Sequence, residues 1–346
     1  VMLTLAVDAM GGDKGLDVTI PGCKLFLKNI PEVDLILVGN SEEIKAKLTQ
    51  CGLNSDKIRI HHASEVVDMG ENPQSALKNK KDSSMRVAID LVHEGKAKAA
   101  ISAGNTGALI ATAKFVLKTL PGINRPAIAT FLPGLKDKQV CALDLGANVN
   151  STPAYLVQFA LLGSELYKMR YPHRTHPRVA LMNIGTEAIK GNAITKETYD
   201  LLSRTDLNFI GNVEGNDLFT HRADVIVCDG FVGNIMLKTM EGSMHFVSTL
   251  LKQGYQKNWL TKIAALLSHR VFQRIKEDFD PRAFNGATIL GLNGIVVKSH
   301  GGTDAYGFSC ALKKTYTEVS NLDLISLETT VSHQLSKLDI LAKKAI

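Results

Sequence analysis

Short runs of apolar, often β-branched residues alternate along this chain with glycine-containing polar turns and with longer stretches whose apolar positions recur at helical spacing. Leu3 to Val7 is the first such run, closing on Asp8, and Met10, Gly11, Gly12 and Asp13 turn the chain toward a helix near Asp17. Asp34 to Val38 repeats the design through Gly39 and Asn40, with Ser41 as the expected N-cap. Ile58 to His61 reads as a third strand, and Ala63 to Asp82, carrying Pro73, as a polar loop. Ser84 then starts a helix with Val87, Leu91 and Val92 on its apolar side, closed by Gly95. Lys98 to Ile101 is predicted to be a strand that delivers Ser102 to Ala108 into the next helix.

Pro126 to Leu132 and Val140 to Leu145 follow as strands, the latter running into Gly146, Ala147 and Asn148. Thr152 and Pro153 open a long helix with Leu156, Phe159, Leu162 and Leu166 at helical spacing. Val179 to Met182 is a strand ahead of the turn Asn183 to Glu187, with Lys190, Gly191 and Asn192 just beyond. Val225 to Cys228 is another, followed by a connection from Asp229 to Asn234 and a helical run from Ile235. Gly294 to Lys298 is the last expected strand, and Leu322 to Ile346 reads as a closing helix.

This alternation implies an α/β fold with a mostly parallel sheet covered on both faces, and all the polar turns at one edge. The turns at Asp8, Ser102, Asp144, Asn183 and Asp229 are then expected to converge on one cleft, where ligands of open α/β sheets bind. With 346 residues, 45% of them hydrophobic, the chain can bury a large core, and residues 1–346 are expected to form a single domain. The apolar runs fall short of a bilayer span, and LTLAVDAM meets an acid too early for a secretory signal, so a cytoplasmic location is expected. Five cysteines without ligand spacing suit a reducing compartment and give no zinc framework or other metal site.

The net charge of +6 is too mild and too scattered to indicate nucleic acid, but it suits an acidic protein or an anionic membrane. Lys78, Lys80 and Lys81 form either a solvated face or a docking patch, and Arg170, His173, Arg174, His176 and Arg178 a basic connection. Chemistry enters with the small residues of the Ser102 turn. Backbone N–H groups of Gly104 and Gly107, with the side chains of Ser102, Asn105 and Thr106, read as a cradle for phosphate at a helix N-terminus. Neither G-x-G-x-x-G nor G-x-x-x-x-G-K-[ST] occurs, which leaves no nucleotide signature, and no G-x-S-x-G elbow is present. Residues 243–280 stand apart, with Trp259, Leu260, Ile263, Leu266, Leu267, Val271, Phe272 and Ile275 at helical spacing between Lys257, Lys262, Arg270, Arg274 and Lys276. This basic amphipathic segment is either a packing or dimer helix or a membrane contact.

The stretches VDAMGGD, SAGNTGALI, RPAIATFLP, LDLGANV, NIGTEAIKGN, VEGNDLF, CDGFVGNIMLKTMEG and LNGIVVKSHG, in that order, resemble the bacterial phosphate acyltransferases of phospholipid synthesis. The likeness runs from Leu5 to about Thr317. It implies a three-layer α/β/α sandwich similar to phosphotransacetylase and isocitrate dehydrogenase-like folds, with residues 243–280 protruding. It further implies transfer of a long acyl chain from acyl carrier protein to inorganic phosphate by a homodimer, without a cofactor. The family's catalytic lysine and asparagine fall on Lys190 and Asn234, with Asn148 and Asp229 lining the pocket and His300 binding phosphate or protonating the leaving thiolate. Trp259, Leu260 and Ile263 would touch an anionic membrane, where a glycerol-3-phosphate acyltransferase would consume the product. A metal- and NAD-dependent dehydrogenase of the isocitrate dehydrogenase-like group and a non-catalytic carrier-protein binding module are the competing classes.

Overall fold

A computed structural model describes residues 3–134, 138–271 and 280–344. Eleven strands form one sheet in the order β3-β2-β1-β4-β11-β10-β5-β6-β9-β7-β8. The left block comprises β1 (Thr4–Asp8), β2 (Asp34–Gly39), β3 (Ile58–His62), β4 (Ala99–Ser102) and β11 (Ile295–Lys298), all mutually parallel. The right block comprises β6 (Gln139–Leu143), β7 (Arg178–Met182), β8 (Asn208–Val213) and β9 (Val225–Val227), again parallel. Between them, β10 (Ala287–Leu290) and β5 (Ala127–Pro133) are joined by antiparallel pairings to each other and to the strands on either side.

Strand side chains point alternately to the two sheet faces, and the sequence fills both. In β1, Leu5 and Val7 enter the core beneath α1 (Leu16–Asn29) and α10 (Ala305–Asn321), whereas Ala6 enters the one beneath α4 (Ser84–His93) and α5 (Thr106–Leu117). The long α6 (Pro153–Arg170) buries twelve consecutive residues, Leu156 to Tyr167, against the right block on the α1 side. Helices therefore cover both faces, giving the three-layer α/β/α sandwich.

The expectation that every polar turn lies at one sheet edge needs correction. Three antiparallel pairings in the middle reverse the strand sense, so the turns after β1, β4 and β11 leave in one sense and those after β6, β7 and β9 in the other. A twist of about 20–25° per strand, accumulated over four steps from β11 to β9, turns the two sets of ends by about 80–100° toward a shared seam. The contact is real: Lys238 Nζ, beyond β9, lies 3.1 Å from His300 Nε2, beyond β11.

Other boundaries differ from the sequence reading for local reasons. Asn40, not Ser41, caps α2 (Ser41–Gln50), accepting from the N–H groups of Glu42 and Glu43. Pro73 begins α3 (Pro73–Asn79) behind the cap Asn72, because proline at the first helical position gives up only an N–H that has no partner there. The closing helix is α11 (Leu324–Lys344). In the segment 243–280, the helix from β9 continues to Gln256 and a second, α9, covers Trp259–Leu267; Phe272, Arg274, Ile275 and Lys276 lie outside the described residues.

The largest shift is at α8 (Gly230–Gln256), which starts five residues before the expected Ile235. Asp229 caps it, accepting from Val232 N at 2.9 Å. Its glycines are there for approach: a β-carbon at Gly233 would stand 1.9 Å from the Asp144 carbonyl oxygen, and one at Gly230 2.6 Å from that of Asn148. Gly233→Ala must therefore push α8 off the Asp144 turn. We expect it to cost about 3 kcal/mol, at the upper end for overpacking, read as a lowered urea midpoint; an unchanged midpoint would show that the helix is not seated this way.

Candidate active site

Each block of the sheet ends in a buried aspartate that gathers its turns. Asp8 closes β1, and its Oδ1 accepts from Ser84 Oγ at 2.6 Å and Gly11 N at 3.1 Å, while Oδ2 accepts from Ser102 Oγ at 2.6 Å. Ser102 Oγ in turn accepts from Gly104 N. Burial pushes the Asp8 carboxyl upward, against the two hydroxyls and the backbone N–H groups of Gly11 and Met10, which favour the ionised form. Ser102 and the Gly104 amide, expected to hold phosphate, are thus turned inward to this carboxylate.

Asn105 is engaged as well. It caps α5 through Ala108 N, and its amide donates to the carbonyls of Met69 and Glu71, tying the 68–72 segment over the helix N-terminus. Thr106 and Gly107 open α5, where a β-carbon on Gly107 would meet Pro73 at 2.7 Å. The lysine patch is also partly neutralised, since Lys80 pairs with Glu71 at 2.7 Å and Asp68 at 3.6 Å.

Asp144 does the same for the right block. Its Oδ1 accepts from the N–H groups of Ile128, Gly146 and Ala147, and its Oδ2 from both the backbone and side-chain nitrogens of Asn148. Burial raises this carboxyl too, with those donors opposing. Asn148 spends its remaining amide proton on the Pro126 carbonyl at 2.8 Å, so it shapes the turn from within. Asn234 stands over this turn. A β-carbon at Gly146 would come within 3.5 Å of Asn234 Cβ, and the Asn234 amide has no hydrogen bond among the described residues.

The loop after β7 carries Lys190. Asn183 Nδ2 donates to the Lys190 carbonyl, and Asn192 caps α7 (Ala193–Leu202) through Thr195 N, which fixes the loop at both ends. Lys190 Nζ is exposed and has no hydrogen-bond or ion-pair partner among the described residues. No hydrogen bond joins Lys190 to Asn234. Asn183, Gly191, Asn192 and Asp229 sit at the mouth of a groove of about 1460 Å³ that follows α8 past Val232, Ile235, Met236, Met240, Met244, Val247 and Leu251 to Tyr255. Asn234 and Lys238 lie on the neighbouring stripe of the same helix, toward His300.

Lys238 and Lys298 carry no sequence motif and went unnoticed at that level. The usable signals are the four-residue spacing of Lys238 from Asn234 and the place of Lys298 at the carboxyl end of a buried strand. Lys298 Nζ donates to the carbonyls of Ala103 and Ser299, and burial brings its pKa down to about 8. His300 is pushed below its ordinary value by burial and then by Lys238, so it is neutral at pH 7. Cys228, buried and bonded to the Asp144 carbonyl at 3.4 Å, has its thiol held far above the usual range by burial and by Asp144 and Asp229. A thiol so held is not a nucleophile.

The family model described as "Fatty acid synthesis protein" matches residues 3–323. Phosphate acyltransferase of Neisseria meningitidis serogroup C is 55% identical over 98% of this chain and 96% of its own. The Chromobacterium violaceum phosphate acyltransferase is 51% identical over 97% of each chain, and that of Legionella pneumophila 50% identical over 93% of this chain and 95% of its own. Among solved structures, a phosphotransacetylase from Streptococcus pyogenes superposes with a TM-score of 0.60 at 18% identity, covering 92% of this chain and 94% of its own. A branched-chain phosphotransacylase from Enterococcus faecalis gives 0.60 at 15% identity, over 93% and 100%. These last two share the fold. From the match over nearly its whole length, the chain belongs to the bacterial phosphate acyltransferase family and is an acyltransferase of fatty acid and phospholipid synthesis.

Proposed function

We propose that this enzyme transfers a long acyl chain from the thioester of acyl carrier protein to inorganic phosphate, releasing acyl phosphate and the free carrier thiol. The apolar groove along α8 carries this reading. It opens at the polar turns, and from Val232 to Tyr255 it follows about 35 Å of helix at 1.5 Å per residue. Such a length suits a chain of many methylenes, each contributing about 0.8 kcal/mol when buried. Met236, Met240 and Met244 line it with side chains that adapt to a flexible guest.

In this mechanism phosphate oxygen attacks the thioester carbonyl, an oxyanion develops, and the pantetheine thiolate leaves. Thioester and acyl phosphate are both activated, so no nucleotide is consumed, and phosphate as nucleophile makes a covalent enzyme intermediate unnecessary. Lys190 and Asn234 supply the fixed donors, each worth about 3 kcal/mol when aimed at developing charge. The groove passes between their two flanks of α8, so closure of the Lys190 loop over the bound thioester would bring them together. Neutral His300 fits a hydrogen-bond donor better than an acid for the thiolate.

The α8–α9 hairpin adds a surface role. Trp259 is 70% exposed, Leu260 59%, Ile263 48%, Leu266 76% and Leu267 82%, beside Lys257, Lys262 and Arg270. No helix among the described residues is long and apolar enough to cross a membrane. An apolar tip ringed by cations fits peripheral contact with anionic lipid, where an amphiphilic product is handed to a downstream glycerol-3-phosphate acyltransferase. The exposed Phe231, Phe246 and Leu250 along α8 favour a second copy of the chain as its partner in a homodimer.

With palmitoyl carrier protein, thioester loss should require added phosphate and yield a hydroxylamine-reactive acyl phosphate; loss without phosphate would refute the reaction. Lys190→Ala and Asn234→Ala should each lower turnover about a hundredfold with the fold intact, and unchanged rates would move the site. Flotation with anionic liposomes should recover the protein and lose it after Trp259→Glu with Leu260→Glu; equal recovery would make the tip a protein contact.

A further inference from the structure

Where the loop after β11 meets α8, three hydrogen-bond donors face one another with no acceptor between them. His300 Nδ1 accepts from Gly302 N at 3.2 Å. A ring nitrogen that accepts carries no proton, so this network assigns the proton of the neutral imidazole to Nε2. Yet Nε2 is the atom 3.1 Å from Lys238 Nζ. An exposed ammonium keeps its protons at neutral pH and cannot accept from Nε2–H. Both groups are then donors aimed at the same small volume.

The surrounding charges do not resolve the conflict. Glu241 accepts from Lys238 at 2.8 Å, which leaves two ammonium protons unused, and no hydrogen bond joins it to His300. Asp13 stands against the backbone of Gly301 and Gly302, also without a hydrogen bond to the ring. Behind the pair, Lys298 is anchored on Ala103 O and Ser299 O. Asn234, four residues before Lys238, lies on the same stripe of α8 one turn away.

Resting on the acyl-transfer reading above, we propose that Lys238 and His300 form the seat of the attacking inorganic phosphate, whose oxygens accept from Lys238 Nζ and His300 Nε2–H together. A tetrahedral oxyanion offers several acceptors, so one ion satisfies both donors. The low pKa of Lys298 fits a pocket that lacks this anion and regains full charge behind it. The two jaws come from opposite blocks of the sheet, Lys238 from the right and His300 from the left, so the seat exists only where α8 is pressed onto the Asp144 turn. Phosphate placed here stands one helical turn from Asn234.

The test is steady-state kinetics of the full-length enzyme with phosphate and acyl carrier protein varied separately. Lys238→Met should raise KM for phosphate at least tenfold, change kcat by less than threefold, and leave KM for the carrier thioester alone. Lys238→Arg should restore most of the affinity. An unchanged KM for phosphate would overturn the proposal, and so would a rise confined to the carrier thioester, which would assign the pair to the phosphodiester of the pantetheine arm. A second measurement needs no thioester: ¹⁵N NMR should show the His300 Nε2–H tautomer, and inorganic phosphate should shift its signal and raise its pKa in wild type but not in Lys238→Met. No shift at saturating phosphate would refute the seat even if turnover is phosphate-dependent, whereas a shift without turnover would retain the seat and refute the reaction.

Discussion

The first turns of α8 press directly on the backbone of the Asp144 turn, with only glycine at positions 230 and 233 to allow it. Asp144 makes that surface rigid by taking five hydrogen bonds from its own turn and from β5. Because α8 is long and seated at only one end, its position there sets everything farther along. It aims Asn234 at Gly146, brings Lys238 to His300, and forms one wall of the groove. Asp8 performs the matching service in the other block, holding the glycine turns of residues 10–13 and 102–104 in place. The price of both devices is a buried carboxylate whose ionised form is disfavoured by burial and supported only by a full set of donors.

Much of the fold was legible because both sheet faces are buried, which turns strands such as Leu35–Val38 and Val225–Val227 into unbroken apolar runs. Two strands were missed for physical reasons. β10 is four residues between Gly286 and Gly291, too short to show a period, and its antiparallel pairing helps reverse the sheet. β8 is an edge strand interrupted by Gly211, with a register shift against β7 and half-exposed residues. The start of α8 read as a turn because its glycines were assigned to backbone freedom, when tertiary approach requires them.

At the site, types of residue were easier to read than their directions. The Ser102 turn has the composition of an anion cradle, and it holds an anion, but that anion is the protein's own Asp8. No local pattern reveals this, since Asp8 and Ser102 are 94 positions apart. Lys190 and Asn234 were named from family likeness, and the fold sets them on adjacent flanks of α8 rather than face to face. Lys238 and Lys298 have no local signature at all, because their significance comes from the meeting of two blocks that the chain connects late.

What distinguishes the account is that one helix orders both substrates: phosphate at one stripe of its first turns and the acyl chain along the next. The most direct measurement concerns the chain. Thr239 is exposed, lines the groove, and lies about 15 Å along α8 from Asp229 at 1.5 Å per residue. Thr239→Trp should block a hexadecanoyl chain and spare an octanoyl one, so the ratio of kcat/KM for the two carrier thioesters should shift at least tenfold toward the shorter. An unchanged ratio, with the variant folded as wild type, would contradict the placement of the acyl chain along α8.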